Sequence, residues 1–447
     1  MIGKATTLNL ESSVRRLNMK DKPLGIRRWR KPLIFGGAFG LVVVSLFAFG
    51  MSRTDILAAS SEYDKNRADA VKEGLFFARA EVEAMYAIPD SENGAALIAP
   101  VLPLLSKLKL NNASTYTEKT VMSHWSELAP AIDTIEEASL RKHLMFKRDF
   151  SNPAATLFPE YANVRGWVKL FVKLGEFAVE KNDFESAKRY LNLASYMANS
   201  QDDEGMLIGM LVRIACALIV EREVQVLIVS HGRNPRMVSI LGEVMTTLDT
   251  PYDMRVPLKL ENWYSVSMID TALKDPNSFG DLGYGNSLPN EIKFGRYLPG
   301  YGKANTSRIM RTYADAAHMM PKDPYDLVGV QRAYGSLDKA GIWRGLSYTM
   351  HQILLPALGQ SAVAMSKEVA QRNALIQAIS LLKLGADPAK GLPLNDRHAM
   401  DIDGKPIRLK KTNSGWIFYS IGGDKVDDGG VSFLGQAKGD FVVRLPK

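Results

Sequence analysis

Apolar and polar positions alternate along most of this chain with a period between three and four residues, the spacing of one helix face. In "VKEGLFFARAEVEAMYAI", Val71, Leu75, Ala78, Val82 and Met85 form one such stripe. The spacing predicts a single helix there, stopped by Pro89-Asp90. Further helical stretches are separated by "LAPAID", "SNPAATLFPE", "NSQDDEG" and "HGRNPRM". A last long helix is predicted from about Lys367 to Leu384, with Leu375, Ile379 and Leu382 on one face and Gly385 as its C-terminal cap. After "ADPAKG" the texture changes. "KPIRLKK", "GWIFYSI" and "DFVVRLP" are short, β-rich runs between Gly/Asp/Asn turns, which predicts a small antiparallel meander beginning beyond a boundary near residue 386.

One stretch is apolar without any period. Pro32 to Met51 is twenty residues with no charge, long enough as a helix to cross a hydrocarbon layer of ~30 Å. "RRWRK" precedes it, and cationic flanks stay on the cytoplasmic side. The run exceeds a signal-peptide core, and "GMSRTD" offers no small-x-small cleavage site, so an uncleaved signal anchor is expected. The fold class expected is therefore mainly α. Residues 1–31 form a basic cytoplasmic tail and 32–51 a single transmembrane helix. A helical extracytoplasmic domain follows over 52–385, and a small β-rich module over 386–447. The address is the cytoplasmic (inner) membrane.

Charge follows the same division. Of the net charge of +8 on 447 residues, +7 comes from residues 1–31, where nine Lys and Arg face only Glu11 and Asp21. The remaining chain is nearly neutral, which removes the support for a nucleic-acid partner. A single cysteine, Cys216, excludes an internal disulfide or a CxxC zinc site. It sits in "LVRIACALIV", which is too short for a second span and runs into "EREV". A buried helix with an inert thiol is expected there.

"FVKLGEFAVEKNDFESAKRYLNLA" places Phe171, Leu174, Gly175, Ala178, Ala187, Leu191 and Ala194 at positions that let two helices cross closely, with "KND" as the turn. This stretch, about 168–198, resembles one tetratricopeptide repeat. Asn199 stands where that repeat carries its proline, and neighbouring segments repeat the pattern only loosely. A repeat-like stack and an irregular bundle both remain open. Residues 275–305, rich in turn formers and tyrosines, read either as an ordered packing loop or as a functional surface.

"DIDGKPIRLKKTNSGWIFYSIGGDKVDDGG" and the later "GDFVVRLP" carry an ordered pattern: Asp401, Gly404, Pro406, Tyr419-Ser420, Gly422, Asp424, Gly429-Gly430, then Gly439-Asp440. It resembles the C-terminal module of the type II secretion major pseudopilins, and more closely that of uncharacterised bacterial membrane-anchored proteins sharing the module. The resemblance covers about residues 365–447. It implies a calcium site, with Asp424, Asp427, Asp428 and Asp440 as carboxylate ligands and Ser420 and Gly422 as further oxygens. A bare hairpin turn explains the same residues. The prepilin glutamate is missing from "GGAFGLVVV", so polymerisation as a pilin is not expected.

Catalytic signatures are lacking. His124, His143, His231, His318, His351 and His398 show no metal or triad spacing, "SKLK" at 106–109 lacks companion motifs, and no phosphate-binding glycine loop follows a strand. The function expected is a non-enzymatic envelope scaffold with a protein partner. The alternatives are an accessory subunit of a pilus or secretion assembly, and an envelope hydrolase whose site is built from dispersed residues.

Overall fold

The computed structural model describes residues 53–110, 116–151, 158–199, 205–274, 295–340, 358–388, 398–413, 415–432 and 439–446. The basic tail, the predicted anchor at 32–51 and most of 275–305 lie outside the described residues. The described chain is mainly helical, with a small three-stranded antiparallel sheet near its C-terminus. No helix among the described residues is long and apolar enough to cross a membrane.

The predicted stripe of 71–85 is not one helix. It divides into α1 (Tyr63–Lys72) and α2 (Arg79–Tyr86). Gly74 adopts a left-handed φ of 74°, which ends the first helix. The Glu81 carboxylate then accepts the amides of Phe77 and Ala78, both at 2.7 Å, and starts the second. Leu75 and Val82 are buried as predicted, whereas Val71 is exposed. Periodicity continued across a break that only the glycine marked.

Downstream come α3 (Trp125–Ala138), α4 (Glu160–Glu180), α5 (Phe184–Asn199), α6 (Leu207–His231) and α7 (Pro235–Leu248). They are followed by α8 (Arg255–Lys274), α9 (Tyr301–Met319), α10 (Leu327–Ala340) and α11 (Leu358–Leu384). Helices α4 and α5 make the close hairpin expected of Gly175: a Cβ there would lie 2.8 Å from Leu191 Cδ2. Asn182 takes a left-handed turn, and Asp183 Oδ1 accepts the Ser186 amide at 3.1 Å to open α5. A second hairpin, α6–α7, begins its return helix with Pro235 after Asn234, whose side chain accepts the Arg236 amide at 3.0 Å. Helix α6 packs on both α4 and α5, and α7 packs on α5.

Helix α11 starts nine residues before the predicted Lys367 and is buried nearly all round. Its N-terminal half, with Met365 and Val369, enters a core shared with α1, α8, α9 and α10. Its C-terminal half, with Leu375 and Ile379, enters the larger core of α3 to α7. It ends where predicted: Gly385 has φ 56°, its amide donates to Leu382 O at 3.3 Å, and the Ala386 amide to Leu381 O at 3.4 Å.

The meander is β1 (Arg408–Thr412), β2 (Gly415–Ser420) and β3 (Phe441–Arg444), in sequential order. Arg408 pairs with Tyr419 and Phe418 with Val443. Phe418, Val443 and Leu445 belong to the same hydrophobic core as Trp167 and Leu375, so the sheet is anchored on the helices. The Gln225 side-chain amide of α6 donates to the Val442 carbonyl. Cys216 is fully buried in α6, and burial pushes its thiol up to about 12, which makes it unreactive.

Candidate functional site: a carboxyl-lined cleft and a buried polar belt

The pseudopilin-like pattern turns out to carry architecture. Gly404, Gly422, Gly429, Gly430 and Gly439 all have positive φ. At Gly422 a side chain would also meet the Gly439 carbonyl oxygen at 2.5 Å, so two loop segments touch through bare backbone. Asp401 is fully buried. Its carboxylate accepts the Ile402 amide at 2.7 Å, the Ile421 amide at 3.0 Å and the Ser420 hydroxyl at 2.5 Å, and it pairs with Arg408. Arg408 also reaches Asp403 at 2.7 Å and Asp427 at 3.2 Å, which ties the turn at 401–404 to the aspartate loop.

Three of the four predicted calcium ligands, Asp424, Asp427 and Asp440, have carboxylates engaged in a similar way. Asp424 accepts the amides of Val426 at 3.2 Å and Gly439 at 3.4 Å. Asp427 accepts the Gly429 amide at 2.9 Å, and that bond, with Arg408 beside it, holds its carboxyl below the usual range. Asp440 accepts the Gly430 amide at 2.6 Å and the Asp428 amide at 3.4 Å. Asp428 contributes that amide. Calcium requires ~6–8 oxygens converging on one point, whereas the oxygens of Asp424, Asp427 and Asp440 point at N–H groups and a guanidinium. Among the described residues no group of three or more His, Cys, Asp or Glu is placed to hold a metal. Millimolar calcium is expected to leave the thermal midpoint unchanged, while Asp440→Asn lowers stability by about 1–2 kcal/mol through its amide bonds. A calcium-induced rise in midpoint that Asp424→Ala abolishes would reverse this assignment.

Chemistry with strained titration lies elsewhere, in two places that spacing did not mark. The first is a cleft of about 660 Å³ between α4 and α6, open on one side. Val172, Val179, Leu218, Ile219 and Val226 make its walls apolar, and Val226 is half exposed. Within it Glu223 of α6 meets Glu176 of α4. Burial first, and then the charge and hydrogen bond of Glu176, push the Glu223 carboxyl up to about 8, so it holds its proton at neutral pH. Lys173 pairs with Glu176 from the same helix.

The second place is the junction of the two cores, where α6 and α11 pass from one to the other. Glu221 and Glu368 are buried side by side, and burial together with the Glu368 charge drives Glu221 well above the carboxylate range. Arg372 lies one turn after Glu368, at 3.4 Å from its carboxylate and 3.8 Å from Asp249, and donates to the Leu248 carbonyl at 2.8 Å. Burial works against the guanidinium, but Glu368, Tyr252, Glu221 and Asp249 raise its pKa overall. Arg213 stacks over Tyr252 at 4.0 Å from the ring centre. His398 contacts Asp249 at 2.7 Å, a carboxylate far from it in the chain. Asn373 and Gln377 of α11 fasten the adjoining segment through the carbonyls of Met400 and His398.

Apart from the local pairs Lys173–Glu176 and Glu368–Arg372, these pairings join residues distant in the chain and follow no motif. One signal was present: two glutamates flanking Arg222 interrupt a mostly apolar helix, and charges inside such a helix need partners from elsewhere. Compared with known proteins, the chain matches no family model, no curated protein and no solved structure.

Proposed function

We propose that this chain is a membrane-tethered scaffold of the bacterial cell envelope, anchored by residues 32–51, whose helical body holds a peptide segment of a partner protein in the α4–α6 cleft. The observation that carries this reading is the cleft itself, with apolar walls and a half-exposed Val226 on a helix that is apolar on nearly every face. A helix of that composition is normally covered all round. The hairpins α4–α5 and α6–α7 stack so that their first helices line the cleft together, which supports the repeat-like reading. Stacked helical repeats commonly bind on such a face.

Panning random twelve-residue peptides against the full chain in lipid nanodiscs tests the proposal. Peptides whose capture is lost with Val226→Asp are expected, while Leu140→Asp, on an exposed side chain outside the cleft, changes nothing. If no enriched peptide depends on Val226, the reading fails.

A second reading, an envelope hydrolase, draws on the contact between Glu176 and Glu223, since two carboxyls sharing a proton also form the aspartic-protease dyad. Lys173 bound to Glu176 weakens it by fixing that carboxylate as an ion pair. Cleavage of the captured peptides, lost in Glu223→Gln, would promote it.

A further inference from the structure

Resting on the cleft being a peptide site, we infer that it selects a segment carrying one lysine or arginine, whose cation docks between Glu223 and Glu176 while its aliphatic stem lies along Val172, Val179 and Val226. Glu223 is only 7 % exposed, yet it lines the cleft, and its Oε1 is buried without a hydrogen-bond partner. An acceptor in that position calls for a donor from whatever enters. The surrounding charges do not supply one. From α4 the cleft is lined by Lys169, Glu176 and Glu180, with Lys173 beside Glu176, and from α6 by Arg222, Glu223 and His231. Lys173 is engaged by Glu176, and His231 by Ser230 at 2.8 Å. Lys173 and Arg222 both favour ionisation of Glu223, but burial and Glu176 outweigh them. The pair is therefore short of one positive charge when both carboxylates are ionised. At neutral pH a proton fills that deficit. A Lys or Arg head group replaces it with a charge-assisted hydrogen bond and keeps its methylenes on apolar wall. The Glu223 proton leaves to solvent as the cation arrives, so charge in the cleft is conserved.

The test compares three labelled twelve-residue serine–leucine peptides, identical except for lysine, norleucine or glutamate at the centre, binding the full chain in nanodiscs from pH 6 to 9. The lysine peptide should gain roughly tenfold in affinity per pH unit below about 8 and level off above it. Norleucine should show no such slope, and glutamate should bind least. Glu223→Gln should erase the difference between the lysine and norleucine peptides. Equal affinity of lysine and norleucine at every pH overturns the inference, as does a lysine preference that survives Glu223→Gln. In either case, Val226-dependent binding of norleucine leaves the peptide-site reading standing. If none of the three binds, Val226-dependent capture of panned peptides confines the failure to this inference, and its absence overturns the peptide-site reading as well.

Discussion

Arg372→Met lowers folding stability by roughly 3–5 kcal/mol, the cost of removing one partner from a buried ion cluster. Its side chain is 1 % exposed, and around it stand Glu368, Asp249, the Leu248 carbonyl and the Tyr252 ring. Methionine fills a similar volume, so most of the loss is electrostatic: Glu368 and Asp249 lose the cation that offsets their burial. Urea unfolding of the full chain in detergent micelles measures it. The double variant Arg372→Met/Glu368→Gln should lose less than the two single losses summed, because the neutral amide no longer needs the guanidinium. An Arg372→Met cost below about 1 kcal/mol would mean that the belt does not work as a charge network.

The fold is also expected to weaken as pH rises from about 5 to 8, opposite to the familiar acid lability. Glu223 titrates near 8 and Glu261 near 7, in both cases chiefly because of burial, against an ordinary value of 4.5. Glu221 lies well above that value too. Between 4.5 and those values the folded protein holds protons that the unfolded chain has released, so stability falls as pH climbs and levels off above 8. For Glu223 and Glu261 each the shift corresponds to a few kcal/mol in order of magnitude. At the acid end the sign reverses. Asp403 and Asp427 have lowered values, and their stabilisation is lost as pH falls below about 4. Urea midpoints should peak near pH 5 and decline toward 8. Glu223→Gln should flatten part of that decline. A profile flat from 5 to 8 would contradict the protonated carboxyls.

These two results concern features that the linear pattern could not display, yet much else was legible in it. Gly385 ends α11 because a left-handed residue closes its last carbonyls. "KND" turns the α4–α5 hairpin, and Gly175 admits Leu191. The meander followed from short β-rich runs between Gly, Asp and Asn turns. These are local properties, set by backbone sterics and by which atoms a neighbouring side chain can reach. The aspartate loop shows where local legibility ends. The resemblance implied a calcium site while turn chemistry explained the same residues, and carboxylate partners such as Arg408, Gly430 and Gly439 lay in folded neighbours.

Tertiary packing alone decided which charges meet. Glu223 became a proton holder because packing buried it and then set Glu176 of α4 against it, and Arg372 became a keystone because α11 crosses α6 where two cores join. His398 found Asp249 across 149 residues of chain. The physical reason is that helix and turn preferences act over a few residues, whereas desolvation and Coulomb energies depend on distances that exist only once the chain has closed on itself.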